Sequence, residues 1–243
     1  MGRDIRGSVA LITGASRGIG QAIAETLAAD GCDVALVARS EGGLAETAAR
    51  CREHGVRAEC IPGDLSDPAS LDAVAHACVE KLGRLDILVN NAGVFAVSKG
   101  EEADPNAWDR MLQVNLLSAM RLTHLALPSI VAGGRGAVIM LSSLAGRFTS
   151  PGMGAYCASK HGMMGFAGSL FDEVRDQGVK VCAICPGWVN TEMMSGSGVD
   201  PTGVIQPQDV ADAVRYVATS SENACPVEIQ IHPQKSPRRT GAS

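Results

Sequence analysis

A short apolar run, residues 8–13, breaks directly into Gly14-Ala15-Ser16-Arg17-Gly18-Ile19-Gly20, and from Gly18 onward the apolar pattern becomes helical. Ile19, Ile23, Leu27 and Ala28 share one face at that spacing. A strand, a glycine turn and a helix in immediate succession leave few folds open. The connection suits a parallel βαβ unit, and the rest of the chain repeats the alternation. Further strand-like runs fall at residues 32–38, 56–61, 85–89, 136–141, 179–185 and 227–232. Helical patterns lie between them at 41–54, 67–82, 108–131, 156–174 and 207–219. No repeat or linker interrupts the series. The expectation is one α/β domain over residues 1–232, a doubly wound parallel sheet of seven strands with helices on both faces. Residues 233–243, which hold Pro, Lys, Arg and Ser, are expected to be a disordered tail.

A chain of 243 residues with 46% apolar content can bury a sizeable core. Its net charge of −5 argues against a nucleic-acid partner. No apolar run reads as long enough to span a membrane, and the charged first residues lead straight into a strand without the pattern of a signal peptide. Eight cysteines (Cys32, Cys51, Cys60, Cys78, Cys157, Cys182, Cys185, Cys225) are scattered through regular segments rather than spaced as a disulfide framework. A cytoplasmic location with reduced thiols is the economical expectation. Cys182 and Cys185 form a CxxC, but inside an apolar strand they would point to opposite faces. No second CxxC or His pair completes a metal site, so none is expected.

In a doubly wound sheet, ligands bind beyond the carboxyl ends of the strands. Glycines in the first turn permit close backbone approach to a pyrophosphate, and a helix N-terminus adds free N–H groups and a positive dipole end. A carboxylate closing the second strand would select NAD through the adenosine ribose hydroxyls. Ala38 stands there instead, followed by Arg39, and Arg17 lies in the glycine turn. Two guanidiniums at these places suit a ribose 2′-phosphate, which favours NADP(H). Asp64 closes the third strand and could hold the adenine amino group; capping the next helix is a competing use of Ser66 and Asp67. Asn90 and Asn91 follow the fourth strand, where they could stitch neighbouring strands. Asn115 sits inside a helical pattern that disfavours it, which suggests a kink or an inward-facing water site.

Tyr156 and Lys160 are four residues apart at the start of a long apolar helix, one turn apart on one face. A phenol with a pKa of roughly 10 is a poor acid or base at neutral pH. An ammonium beside it favours the phenolate and brings that pKa toward the working range. The pair is a candidate tuned acid/base.

These residues together resemble the short-chain dehydrogenase/reductase family from Gly7 to about His232. The matching pieces are Thr13-Gly14-x-x-x-Gly18-x-Gly20, Asp64, Asn90-Asn91-Ala92-Gly93, Asn115, Ser143, Tyr156-x-x-x-Lys160 and Pro186-Gly187. The resemblance implies a single-domain Rossmann fold of the NADP-preferring branch and an oxidoreductase acting on CH–OH groups. Tyr156 would be the general acid in carbonyl reduction and the base in the reverse direction. Lys160 would bind the nicotinamide ribose and lower the Tyr156 pKa. Ser143 would hold the substrate oxygen, and Asn115 would keep a water on Lys160. Cofactor contacts would come from Gly14, Ser16, Arg17, Gly18, Ile19 and Gly20, and from Arg39 and Ser40. Asp64, Leu65, Asn91, Ala92 and Gly93 would continue them, with Tyr156 and Lys160. Pro186, Gly187, Val189 and Thr191 would complete the set, Thr191 bonding the carboxamide.

The walls of a mostly apolar pocket for a small carbonyl or alcohol are expected from Phe95 and Val97, from Arg147 to Met153, and from Trp188, Met193 and Met194. Arg147 is a candidate anchor for an anionic substrate or, alternatively, a surface residue. The glycines of the stretch 192–206 suggest a mobile lid. The carboxyl-terminal sequence Pro226–Pro233 departs from the glycine-rich ending of 3-oxoacyl-carrier-protein reductases and resembles that of reductases of small hydroxy acids or clavaldehyde. A fatty-acid or polyketide reductase remains one alternative. Another is a cofactor-sensing regulator without turnover, although Tyr156, Lys160 and Ser143 are all present. The family's epimerases and dehydratases usually carry an extended carboxyl-terminal region that this chain lacks. The resemblance also implies a homotetramer, or a homodimer, built on the two long helices around 108–131 and 159–174.

Overall fold

The computed structural model describes residues 2–195 and 197–238. Its strands are β1 (Val9–Thr13), β2 (Asp33–Ala38), β3 (Ala58–Pro62), β4 (Ile87–Asn90), β5 (Ala137–Leu141), β6 (Lys180–Pro186) and β7 (Glu228–Ile231). They form one parallel sheet in the order β3-β2-β1-β4-β5-β6-β7. The winding reverses between β1 and β4, which opens a crevice at their carboxyl ends. Successive side chains alternate between two cores: Ala10 and Ile12 enter one, Val9 and Leu11 the other. Burial on both faces is why β1, β5 and β6 read as unbroken apolar runs. The Rossmann-type doubly wound fold is as expected.

Helices α1 (Gly18–Ala29), α2 (Glu41–Arg52) and α7 (Pro207–Thr219) cover the first face. The second is covered by α3 (Pro68–Leu82), α5 (Ser118–Ala132) and α6 (Gly154–Val174). Local chemistry sets their limits. Asp67 accepts the Ala69 N–H (3.0 Å) to start α3, Pro68 occupies its first turn, and Gly83 ends it at φ +85°. Cys182 and Cys185 lie on opposite faces of β6: Cys182 enters the first core, and the Cys185 thiol meets Met164 of α6 across the second face.

Three expectations change. The helix expected at 108–131 is a composite of α4 (Pro105–Leu112), a π-helical turn at Gln113–Leu117, and α5. The Ser118 N–H donates to the Gln113 carbonyl, which admits one extra residue to the turn, and Asn115 sits in that widened turn. Secondly, the joined run Pro105–Ala132 is, by length and composition alone, apolar enough to cross a membrane. Here α5 lies on the sheet, with Leu122, Ala126 and Ile130 in the second core. Thirdly, residues 233–238 do not extend away from the body. The Arg238 carbonyl accepts the Asp200 N–H (2.9 Å), and a Cβ added at Gly187 would lie 3.1 Å from Pro233 Cδ. Residues 239–243 lie outside the described residues.

The apolar surplus on α6 mostly covers the sheet. Met163 and Leu170 are buried, while Met164, Phe166 and Phe171 are half-buried against the same core.

Candidate active site

At the end of β1 the chain turns through Gly14 (φ +67°) and Gly18 (φ +58°), conformations that favour glycine. Gly20 is constrained by space: a Cβ there would fall 2.2 Å from the Gly14 carbonyl oxygen and 2.6 Å from Asn91 Nδ2. Arg17 precedes α1 in extended conformation, and no side chain caps the helix's first turn. Those N–H groups are thus available to an anion, so the turn fits a dinucleotide pyrophosphate. Replacing Gly20 by Ala forces backbone apart and is expected to cost about 2–3 kcal/mol. The urea midpoint should fall by roughly 1 M, and an unchanged midpoint would contradict the packing described.

Thr13 and Asn91 fasten the turn to β4 at the switch point. The Thr13 hydroxyl accepts the N–H groups of Asn91 and Ala92, both at 2.9 Å, and donates to the Val89 carbonyl (3.3 Å). Asn91 Nδ2 donates to the Thr13 carbonyl (2.8 Å). Asn90 turns the other way and donates to Thr123 Oγ1 (3.0 Å) on α5. The stitching expected of this pair is present, with Thr13, the first residue of the glycine motif, as the partner of Asn91.

Asn115 clamps the next stretch. Its Oδ1 accepts the Val94 N–H (2.7 Å), while its Nδ2 donates to the Val94 carbonyl (2.9 Å) and to Ser159 Oγ (3.2 Å). The π turn is what lets a fully buried Asn reach these groups. Its side-chain amide is thus committed to the Val94 backbone and Ser159. Lys160 is nonetheless close: a Cβ on Gly93 would lie 3.4 Å from Asn115 Oδ1 and 3.8 Å from Lys160 Nζ.

Tyr156 occupies the first turn of α6, and Phe95 meets its ring edge-on (centroids 4.9 Å apart, 81° between planes). Ser143, just beyond β5, accepts the Ala145 N–H (3.1 Å) and donates to the Pro186 carbonyl (3.4 Å), and its hydroxyl bears on the Tyr156 phenol. Lys160 is buried, its ammonium donating to the Leu141 carbonyl (2.6 Å) and lying 5.7 Å from the Tyr156 ring centre. Burial lowers the Lys160 pKa from 10.5 to about 8. The Tyr156 phenol is raised by burial, with the Ser143 hydrogen bond opposing the shift. For the phenol, desolvation outweighs the Ser143 contribution, while the Lys160 ammonium is bonded to a backbone carbonyl.

Several other candidates have competing work. Ser40 Oγ accepts the Gly43 N–H (3.3 Å) to cap α2. Asp64 accepts both the N–H and the hydroxyl of Ser66 (2.9 and 2.8 Å), which holds its carboxyl below the usual range. The Leu65 side chain belongs to the second core, and Ile19 packs on the first. Val189 bridges to Ile205, and the Thr191 hydroxyl donates to the Val189 carbonyl (3.4 Å). Arg17 is ion-paired with Glu192. Arg147 is held by Glu228 of β7 (Nε to Oε1 3.0 Å) in a bidentate pair. Met153 precedes α6 half-buried, while Val97, Phe148, Trp188 and Met193 are exposed apolar side chains. Contacts missed from sequence are those of Ser159, Glu192 and the Leu141 carbonyl, whose partners are distant in the chain or on the backbone.

The family model for short chain dehydrogenases matches residues 8–201. The chain is 33% identical to the 3-oxoacyl-acyl-carrier-protein reductase FabG of Escherichia coli over 226 residues, covering 89% of this chain and 91% of that protein. It is also 33% identical to a glycine betaine reductase of Emericella nidulans over 96% of its length, but spans only 19% of that longer protein. Among solved structures, an alcohol dehydrogenase from Thermococcus sibiricus complexed with 5-hydroxy-NADP superposes with a TM-score of 0.88 at 30% identity, covering 95% of this chain and 99% of that one. Carveol dehydrogenase from Mycobacterium avium in complex with NAD gives 0.87 at 27% identity, covering 95% and 98%. With the nucleotide turn, the switch-point crevice and the Ser143–Tyr156–Lys160 cluster on one sheet edge, the chain belongs to the short-chain dehydrogenase/reductase family of oxidoreductases.

Proposed function

We propose that this protein is an NADP(H)-dependent reductase that interconverts a small carbonyl compound and its alcohol. The observation that carries this reading is the meeting of the Ser143 and Tyr156 side chains beside buried Lys160, next to a glycine turn that fits a dinucleotide. The nicotinamide, when bound, supplies or accepts the hydride. Tyr156 gives its proton to the carbonyl oxygen as the alcohol forms, and Ser143 holds that oxygen by a hydrogen bond. Lys160 supplies positive charge against the phenolate left behind. For a charge separation of the order of the 5.7 Å from Lys160 Nζ to the ring centre, the attraction is about 3 kcal/mol at an effective dielectric of 20. Asn115 fixes the Gly93–Val94 backbone along one wall. Phe95, Met153, Trp188 and Met193 line an apolar mouth, with Arg147 held by Glu228.

The preference for NADP(H) rests on Arg39, exposed just past β2, whose charge bears on Asp64. Fluorescence titration tests it. Arg39→Ala should lose roughly 1.5–3 kcal/mol of NADPH affinity, about ten- to a hundredfold, with NADH nearly unchanged. Native protein that binds NADH as tightly as NADPH would overturn the preference. NADPH oxidation then serves as the assay for ketones, aldehydes and oxo acids. Similarity to FabG favours one second reading, a 3-oxoacyl thioester reductase, which acetoacetyl-CoA turnover far above that of simple ketones would support.

We also propose a cytoplasmic homotetramer. Leu117 and Met120 leave exposed apolar surface at the π turn and start of α5, and Trp108 is exposed on α4. Sedimentation should give a tetramer, or failing that a dimer; a monomer at micromolar concentration contradicts it.

A further inference from the structure

Glu192 joins two parts of the site that are 175 residues apart in sequence. Its carboxylate is ion-paired with Arg17 of the glycine turn, and both side chains are about two-thirds exposed (68% and 69%). Glu192 opens the tight turn Glu192–Met194 that follows Thr191, where the Met194 N–H donates to the Thr191 carbonyl and the Ser195 N–H to the Glu192 carbonyl, both at 2.9 Å. The same turn carries Met193, an exposed wall of the pocket mouth. Thr191 rests directly on the nucleotide turn: a Cβ on Gly18 would lie 3.3 Å from Thr191 Cγ2.

A guanidinium bonded to a carboxylate must give up that bond, or share it, to bind a phosphate bidentately. We propose that Glu192 is a specificity-determining residue, a carboxylate that competes with the cofactor's 2′-phosphate for Arg17. Engagement of the 2′-phosphate then opens the Arg17–Glu192 pair, and a cofactor without that phosphate leaves it closed. This rests on the NADP(H) reading above and adds a residue to it. The size of the effect follows from exposure: such pairs are worth about 0.2–1 kcal/mol, so the competition changes affinity by roughly 1.5- to 5-fold. Screening by salt weakens it.

The test is a titration of NADPH, NADH and adenosine 2′,5′-bisphosphate against native protein, Glu192→Gln, Glu192→Ala, Arg17→Met and the Arg17→Met/Glu192→Gln double variant, in low and high salt. Both Glu192 variants should bind NADPH and the bisphosphate about 1.5- to 5-fold tighter at low salt, with NADH affinity unchanged. The gain should vanish in the Arg17→Met background and shrink in high salt. No gain, an equal gain for NADH, or a gain that survives without Arg17 overturns the role of Glu192. Failure of native protein to bind NADPH or the bisphosphate at all sinks the NADP(H) reading itself, and this proposal with it.

Discussion

Tyr156→Phe is expected to leave NADPH affinity within about twofold and to reduce turnover by roughly 10²–10⁴. The substitution removes one oxygen from a half-buried side chain, and the ring contact with Phe95 can persist. What is lost is the proton donor at the carboxyl ends of the strands, on which the Ser143 hydroxyl bears. Because burial raises the phenol, the donor is protonated throughout the neutral range, and carbonyl reduction should be flat there. It should decline as pH rises past about 8, where Lys160 loses its proton and with it the charge that stabilises the phenolate. Alcohol oxidation needs the base and should run in the opposite direction at first. Single-turnover rates measured from pH 6 to 10 read both limbs. A Phe variant that keeps more than about a tenth of native turnover would remove Tyr156 from the proposed chemistry.

The strand ends were legible because a parallel sheet buried on two faces leaves a plain signal, an apolar run punctuated by Gly, Asn, Ser or Pro-Gly. The Tyr156–Lys160 spacing was legible because helical periodicity alone places the two side chains together. Asn115 was half legible: its poor helix propensity marked an irregularity, but nothing local specifies a π turn or the Val94 backbone it binds. Arg147–Glu228 and Arg17–Glu192 span 81 and 175 residues, so only the sheet order brings them together. The direction of the Tyr156 shift was likewise hidden, since a sequence gives the neighbouring charge but neither the desolvation nor the Leu141 carbonyl that holds it.

Lys160→Met should separate function from stability. Turnover should fall by roughly 10²–10³, because the charge worth about 3 kcal/mol against the phenolate is gone. Stability should behave differently, and its pH dependence gives the sign. The Lys160 pKa is lowered from 10.5 in the unfolded chain to about 8 in the folded one, so the unfolded state holds the proton more tightly. Below pH 8 both states are protonated and the native state bears the full cost of burying the ammonium, about 3 kcal/mol at 1.36 kcal/mol per pH unit. Between pH 8 and 10.5 the folded lysine is neutral while the unfolded one remains charged, and native stability recovers that cost. Methionine has no such dependence. It also leaves the Leu141 carbonyl without its ammonium donor, an offset of about 1–3 kcal/mol that does not titrate. At pH 7 the variant should therefore match the native protein within about 2 kcal/mol, whereas at pH 10 it should be the less stable of the two. Between those pH values the difference should move by roughly 2–3 kcal/mol in favour of the native protein. Urea unfolding of both proteins at the two pH values measures that movement directly, with all other titrating groups cancelling. A stability difference that does not change with pH would mean that Lys160 keeps an ordinary pKa in the fold, and the decline of reduction above pH 8 would lose its cause.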